Sequence, residues 1–281
     1  MHKKGVCLAY NAKIIETPTT KEFWIYDKPI SRELTEITDN QSNHTEKKTR
    51  RKFDNLSAIE QGNSLQRKQK YYEQKRWDIA RLIDCNFDTN TKFITLTFKD
   101  NIQDIDYSNT QFKYFIQRLN YYLFKEKSQK LKYIATWEKQ QRGAIHYHVV
   151  FFDFPYIKAD DLQRLWGHGF IKINRIQVDR RENVGRYISK YFGKDLDLKE
   201  HKKKAFFKSQ NLKIPAIHKT FYTEDMIQAL EEENIIFQKE YERIVYDSHS
   251  FVKTGSPFIT SSVRYIKVKK EILTEGRYSN G

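Results

Sequence analysis

The sequence has few residues of the kinds that build cross-linked or membrane-spanning proteins. Only two of its 281 residues are cysteines, Cys7 and Cys85, and they do not form a CxxC pair. A disulfide scaffold and a cysteine-based zinc site are therefore not expected. No stretch approaches the roughly 20 apolar residues that a membrane-spanning helix needs, so we expect a cytoplasmic protein with no membrane partner.

A nucleotide-binding phosphate loop is also missing. The sequence contains no G-x-x-x-x-G-K-[ST] motif, so we expect no ATPase activity in this polypeptide. It also contains no internal repeat and no low-complexity tract. A chain of this length is expected to form one large domain, or one domain with sizeable appendages.

Positive charge and aromatic side chains are abundant. Lys and Arg number 51 against 36 Asp and Glu, and aromatic residues make up 15% of the chain, including 18 Tyr and 19 Phe. A basic excess favours a polyanionic partner, because each phosphate that Lys or Arg neutralises releases condensed counterions. Aromatic rings add stacking surfaces for unpaired bases. The coding bias of an AT-rich gene is an alternative explanation for this composition.

The hydrophobic pattern is sharpest in the middle of the chain. β-Branched and aromatic runs predict strands, and apolar residues at helical spacing predict helices. The predicted order is a strand over 93–98, a helix over 110–126, strands over 131–137 and 144–152, a helix over 159–166, a strand over 170–178 and a helix over 183–192. This order predicts an α+β fold with a central antiparallel sheet and helices packed on it.

The flanking regions show weaker patterns. We expect a loose segment over 38–66, and a helix with a basic face over 64–84. Further predicted elements are short strands within 6–15 and 22–26, a helix over 223–233, and strands over 235–246 and 263–272. The chain is thus divided into an N-terminal extension with a basic helix (1–89), a central domain (90–195) and a C-terminal α/β extension (196–281).

A His-x-His pattern lies in one predicted strand. His146 and His148 point to the same face because alternate side chains of a strand share a face, whereas Tyr147 points toward a core. Two neighbouring imidazoles can bind one metal ion. Two histidines on an exposed strand face are the plain alternative.

The preceding hairpin provides a carboxylate. If Gln141, Arg142 and Gly143 form a three-residue loop with Gly143 in the left-handed conformation, Glu138 lies directly opposite His146 on the same face. The three side chains then form a mixed nitrogen and oxygen site that suits Mn²⁺ and can also hold Mg²⁺. A two-residue loop would turn Glu138 to the other face, where it would be an ordinary surface carboxylate.

A tyrosine pair lies on the last helix of this region. Tyr187 and Tyr191 are four residues apart, so they occupy one side of a helix, and Lys190 lies beside them. A tyrosine oxygen is a competent nucleophile once its proton is removed and the electrophile is activated. Packing is the usual role of such a pair.

Three sequence blocks in this order resemble the three motifs of the HUH endonucleases, as rolling-circle replication initiators arrange them. The blocks are FITLTF at 93–98, WE at 137–138 with RGAIHYH at 142–148, and VGRYISKY at 184–191. The similarity is greatest to initiators of the phage type, found in filamentous and microvirus-like phages and related plasmids, and covers roughly residues 90–195. It implies an RRM-like arrangement of sheet and helices.

The resemblance also implies roles for single residues. His146, His148 and Glu138 would bind a divalent metal, Mn²⁺ or Mg²⁺. Tyr187 would be the nucleophile with Lys190 as its companion, and Tyr191 would be the second tyrosine of the two-tyrosine members. Candidate contacts to DNA phosphates, for which solvated surface is the alternative, are Arg142, Arg186 and Lys194. Thr95 and Thr97 alternate away from Leu96 and can line the active face, although strand propensity also explains them.

The implied activity is metal-dependent nicking and rejoining of single-stranded or hairpin origin DNA in a bacterial host cell. A 5′-phosphotyrosine would form, the freed 3′-hydroxyl would prime a host polymerase, and a host helicase would unwind the duplex. A relaxase usually has its nucleophilic tyrosine before the histidines, whereas Tyr187 follows them. A two-tyrosine transposase would keep the present order. A non-catalytic nucleic-acid-binding module is an alternative of another class, and predicts that His146→Ala leaves function intact.

Overall fold

The computed structural model describes residues 7–33, 55–174, 176, 184–192, 206–231, 234–246 and 258–270. Within these ranges the chain forms five helices and two five-stranded antiparallel sheets, which confirms the predicted α+β class. In chain order the elements are β1 (Cys7–Glu16), β2 (Thr20–Glu33), α1 (Ala58–Asn86), β3 (Lys92–Thr97), α2 (Ile105–Phe124), β4 (Lys132–Lys139), β5 (Ile145–Phe152), α3 (Ala159–Trp166), β6 (Ile171–Asn174), α4 (Val184–Phe192), β7 (Phe206–Lys208), β8 (Ala216–Thr220), α5 (Glu224–Glu231), β9 (Ile235–Tyr246) and β10 (Phe258–Lys269).

The chain divides into two compact units. One is continuous, Phe53–Ile214, and the other combines Met1–Lys52 with Pro215–Gly281. We call them the central unit and the terminal unit. The predicted functional division at residues 89/90 and 195/196 stays a prediction, because compactness alone does not assign function. No helix in the described ranges is long and apolar enough to cross a membrane.

The sheet of the central unit has the strand order β6-β3-β5-β4-β7 and is covered on both faces. On one face, side chains such as Trp137 and Tyr147 pack with α2 and α3 in a core that includes Trp166. Tyr147 is fully buried, and its ring stacks on Phe112 at 4.5 Å, so the prediction that it points toward a core is confirmed.

The opposite face carries a second apolar cluster. Phe93, Ile134 and Val150 of the sheet pack there with residues of α1 and α4. These are the alternate positions of the same strands, as the two-residue repeat of a β-strand requires. His146 and His148 have the same parity as Val150 in β5, so this is the face that carries the histidines.

Helix α1 begins earlier than expected. The segment 38–66 was predicted to be loose, but the chain is helical from Ala58 onward. Ser57 and Glu60 form a capping box, in which the Ser57 side chain accepts from the Glu60 backbone N–H and the Glu60 carboxylate accepts from the Ser57 N–H at 2.9 Å. This reciprocal pairing satisfies two backbone donors that a helix start leaves open.

The terminal unit contains the second sheet, with strand order β8-β1-β2-β10-β9. Helix α5 packs on one face of it, where Ile227 and Leu230 contact a cluster that includes Phe23, Ile25 and Ile266. The predicted helix over 223–233 and the strands over 235–246 and 263–272 agree with α5, β9 and β10 in type and approximate position. Strands β7 and β8 were not predicted.

Candidate metal centre and tyrosine helix

The β4–β5 hairpin has the register that the three-residue loop predicts. Glu138 pairs with His146, and the Gln140 N–H donates to the Ala144 carbonyl at 2.8 Å. Gly143 has φ +85°, the left-handed region in which a side chain is strained. The three-residue loop is therefore confirmed, and the two-residue alternative, which would have turned Glu138 away, is wrong.

Glu138, His146 and His148 converge on one point of the sheet face. Glu138 Oε1 lies 2.7 Å from His146 Nε2 and 3.3 Å from His148 Nε2. One potential ligand atom from each side chain lies within 4.8 Å of the other two. The two imidazole rings are 4.8 Å apart between centroids and are inclined at 65°. The three side chains can therefore hold one metal ion.

The environment keeps the carboxylate ionised. Burial by itself raises the pKa of Glu138, but hydrogen bonds and positive charge from His146 and His148 outweigh it, so the pKa lies well below its usual range. Glu138 thus supplies a negatively charged oxygen at neutral pH, which is the form that binds a cation.

The donor set fits a divalent ion with free coordination positions. Glu138 Oε2 is buried and has no hydrogen-bond partner in the described part of the chain. A buried carboxylate oxygen without a partner is costly, and a bound cation would satisfy it. Two imidazole nitrogens and one carboxylate are a donor set known for metal sites with open positions. The identity of the ion does not follow from these distances.

A polar chain from β3 and β6 supports His148. Thr95 pairs with His148 across the sheet, and its Oγ1 lies 3.1 Å from His148 Nδ1. Asn174 Nδ2 donates to the same Thr95 oxygen at 2.8 Å. A histidine that binds metal through one nitrogen is commonly oriented through the other, and Thr95 occupies that place. Thr95 was expected near the active face; Asn174 was missed, because only the pairing of β6 with β3 brings it there.

The hairpin loop is braced from two sides. Gln140 Nε2 lies 3.4 Å from His146 Nδ1, and Arg142 Nε donates to Gln140 Oε1 at 3.1 Å. Arg142 Nη2 also donates to the Phe98 carbonyl at 2.8 Å. Arg142 was a candidate DNA contact; here its guanidinium ties the loop to the end of β3.

The tyrosine helix α4 lies on the same sheet face as the triad. Its buried side chains Val184 and Ile188 pack in the cluster that includes Phe93 and Ile134. Phe93 also contacts His148, with ring centroids 5.9 Å apart. The apolar cluster therefore connects α4 with the candidate metal centre.

The predicted helical residues lie where the sequence places them along the chain. Tyr187, Lys190 and Tyr191 belong to α4, but their side chains lie outside the described part of the structure. Arg186 is exposed on the same helix, whereas Lys194 lies outside the described residues. Positions 187 and 191 are one helical turn apart, as predicted.

Comparison with known proteins is informative for this same segment. Residues 91–196 match a family of replication-associated proteins, described as the ORF2 and gene 2 protein type. The chain is also similar to the Phasyl DNA replicon protein arp of Escherichia coli, with 24% identity over 146 residues, which is 43% of this chain and 49% of that protein. The chain therefore spans about half the length of this curated relative. No solved structure matches the chain significantly.

These similarities support a replication-initiator family for the segment that carries the site. The matched residues 91–196 contain the hairpin with the triad and the whole of α4. The similarity therefore covers the part of the molecule with the candidate metal centre.

Proposed function

We propose that this protein nicks and rejoins single-stranded origin DNA and thereby initiates rolling-circle replication of a phage or plasmid. The observation that carries the proposal is the convergence of Glu138, His146 and His148 on the sheet face that also bears the helix containing Tyr187. Similarity of the matched segment to a replication-associated family supports the same activity.

In this proposal Tyr187 is the nucleophile. Its Oη loses a proton and attacks the phosphorus of the scissile phosphodiester. The P–O3′ bond breaks, a 5′-phosphotyrosine forms, and the 3′-oxygen takes up a proton and leaves as a hydroxyl. The transferred bond is again a phosphodiester, so rejoining needs no nucleotide hydrolysis, in keeping with the lack of a phosphate-loop motif.

The other residues orient and polarise the reacting groups. A divalent cation, Mn²⁺ or Mg²⁺, held by Glu138, His146 and His148 would polarise the scissile phosphate as a Lewis acid. Lys190 places a positive charge near the phosphate or the tyrosinate. Tyr191 accepts the DNA in the second transfer, when the circle is closed. Arg142, Arg186 and Lys194 are proposed phosphate contacts.

The remaining steps belong to other proteins. The released 3′-hydroxyl primes a host polymerase, and a host helicase separates the strands. Within this proposal the protein therefore works on single-stranded or hairpin DNA in the cytoplasm of a bacterial cell.

A covalent-adduct assay tests the proposal. The full chain is incubated with labelled single-stranded oligonucleotides that tile the origin, with Mn²⁺ or Mg²⁺, and adducts are separated on a denaturing gel. Tyr187→Phe should abolish the adduct and His148→Ala should reduce it to background. Tyr121→Phe, which alters an exposed tyrosine of α2, is the matched control and should leave it unchanged.

Two results would change the assignment. An adduct that persists in Tyr187→Phe and vanishes in Tyr191→Phe would make Tyr191 the primary nucleophile. An adduct that persists in His146→Ala and His148→Ala would exclude the metal-dependent mechanism. Inverted transposon ends beside the gene, in place of a replication origin, would favour transposition.

A further inference from the structure

The sheet of the terminal unit has a second face that neither the metal centre nor the tyrosine helix uses. Phe23 and Ile25 of β2 pack in the cluster beneath α5. Trp24 and Tyr26 alternate with them in the same strand and so lie on the opposite face. The strand registers place Tyr265 of β10 beside Trp24. We call this side of the sheet the aromatic face.

Aromatic rings cover much of the aromatic face. Trp24 lies 4.6 Å from Tyr265 and stacks with Tyr241 at 6.1 Å and 21°, and Tyr265 lies 6.0 Å from Phe237. A separate pair, Tyr10 and Tyr26, is in edge contact at 6.1 Å. Phe237 and Tyr241 are 48% and 38% exposed, so rings at one edge of the row are open to a ligand.

Cations lie over these rings. Lys239 Nζ is 5.1 Å from the centre of Tyr241, and Lys219 Nζ is 5.0 Å from the centre of Tyr10. The Arg243 guanidinium is 5.1 Å from the centre of Tyr26. Glu22, which shares this face, forms an ion pair with Lys267 at 3.8 Å, so its charge is balanced locally. The face is therefore both aromatic and positively charged.

This combination fits an unpaired nucleic-acid strand. Bases without a partner expose flat faces that stack on aromatic rings, and their phosphates are neutralised by nearby Lys and Arg. A duplex hides its base faces and would use only the charge. An apolar peptide would gain nothing from cations placed over the rings.

We propose that the aromatic face of the terminal unit binds single-stranded DNA, separately from the nicking site. The choice of DNA rests on the proposed function; the stacking of an unpaired strand rests on the rings and cations themselves. The bound strand would be held by stacking on Phe237 and Tyr241 and by phosphate contacts to Lys239 and Lys219.

A binding experiment in EDTA tests this surface independently of nicking. Fluorescence anisotropy measures the affinity of the full chain for oligo(dT) of about 15 nucleotides, which is within the span of single-strand-binding sheets. Phe237→Ala/Tyr241→Ala should bind about tenfold more weakly or worse, because each lost stacking contact costs about tenfold or more. Tyr114→Ala/Tyr121→Ala removes two exposed tyrosines from α2 and should bind as the wild type does.

A second readout does not depend on the double variant. In a Trp77→Phe background the remaining tryptophans are Trp24 and the fully buried Trp137 and Trp166. Oligo(dT) should then change the emission of Trp24 as it saturates the aromatic face. The change should be absent with a blunt duplex of the same length.

Several results would overturn the proposal. They are unchanged oligo(dT) affinity in the folded double variant, no change of Trp24 emission at saturation, and an equal loss of duplex and single-strand affinity. The last result would indicate a phosphate patch without stacking. Tighter binding of oligo(U) than of oligo(dT) would reassign the face to RNA. Because nicking is blocked in EDTA, a failed adduct assay would leave these outcomes readable.

Discussion

Gly185 of α4 lies directly against the backbone of Ala80 in α1. A Cβ at residue 185 would be 2.3 Å from the Ala80 carbonyl oxygen, which is closer than real atoms approach. The two helices can therefore contact at this depth only because residue 185 has no side chain. The position of the tyrosine helix on its sheet face depends on this contact.

Gly185→Ala is expected to move α4 away from α1. The obstructing atom is backbone and cannot rotate away, so we expect a loss of about 1–3 kcal/mol in the free energy of unfolding. Displacement of the helix should also slow adduct formation by about tenfold or more, since a shift of about 1 Å can cost two orders of magnitude in rate. Urea unfolding and the adduct assay measure the two effects.

Gly62→Ala is the matched control for that variant. Gly62 lies in α1, and a Cβ there would meet nothing within 4 Å. Alanine is the better helix former, so stability should rise by about 0.5–1 kcal/mol with adduct formation unchanged. If Gly185→Ala behaved like Gly62→Ala, the close helix contact would be unimportant for the site.

A bound divalent ion should stabilise the fold through Glu138. An ion at about 100 times its dissociation constant stabilises a protein by about 2.7 kcal/mol if it binds the folded state alone. Titration with Mn²⁺ should therefore raise the melting temperature of the wild type and have little effect on Glu138→Gln. The control Glu126→Gln, at an exposed glutamate paired with Lys130, should retain the full shift.

Thr95 and Asn174 should affect metal affinity without being ligands. Asn174 holds the Thr95 hydroxyl, which in turn lies against His148 Nδ1. Thr95→Val and Asn174→Ala should each weaken Mn²⁺ binding by about 10–100-fold, as loss of such supporting contacts usually does. Isothermal titration calorimetry measures this, with Thr110→Val on α2 as the control. Equal affinities in all three variants would contradict a positioning role.

Cys85 should react slowly with alkylating reagents. Burial, with a smaller contribution from the nearby Asp84 carboxylate, raises the pKa of the thiol to about 11. Since only the thiolate reacts, iodoacetamide should modify the folded Cys7→Ser variant about a hundredfold more slowly than the denatured chain near pH 8.

The same shift predicts how stability varies at alkaline pH. Below the ordinary thiol pKa near 9 both states keep the proton, so Cys85 adds no pH dependence. Between about 9 and 11 the unfolded chain alone releases it, so stability falls as the pH rises. Cys85→Ala should remove this part of the alkaline decline, which denaturant unfolding at several pH values would measure.

Local sequence determined the parts of the site that depend on neighbouring residues. The two-residue repeat of β5 places His146 and His148 on one face, and the turn at Gly143 sets the register that brings Glu138 opposite His146. Ser57 and Glu60 contained the signal for the start of α1, which the prediction of a loose segment overlooked. Each of these features follows from contacts within a few residues.

The tertiary structure alone decided the relationships between distant segments. Pairing of β6 with β3 brings Asn174 to Thr95, packing of α4 on α1 sets Gly185 against Ala80, and pairing of β10 with β2 joins the two ends of the chain in one sheet. Such pairings depend on which edges and faces the whole chain leaves to be buried. A local pattern of side chains contains no record of that choice.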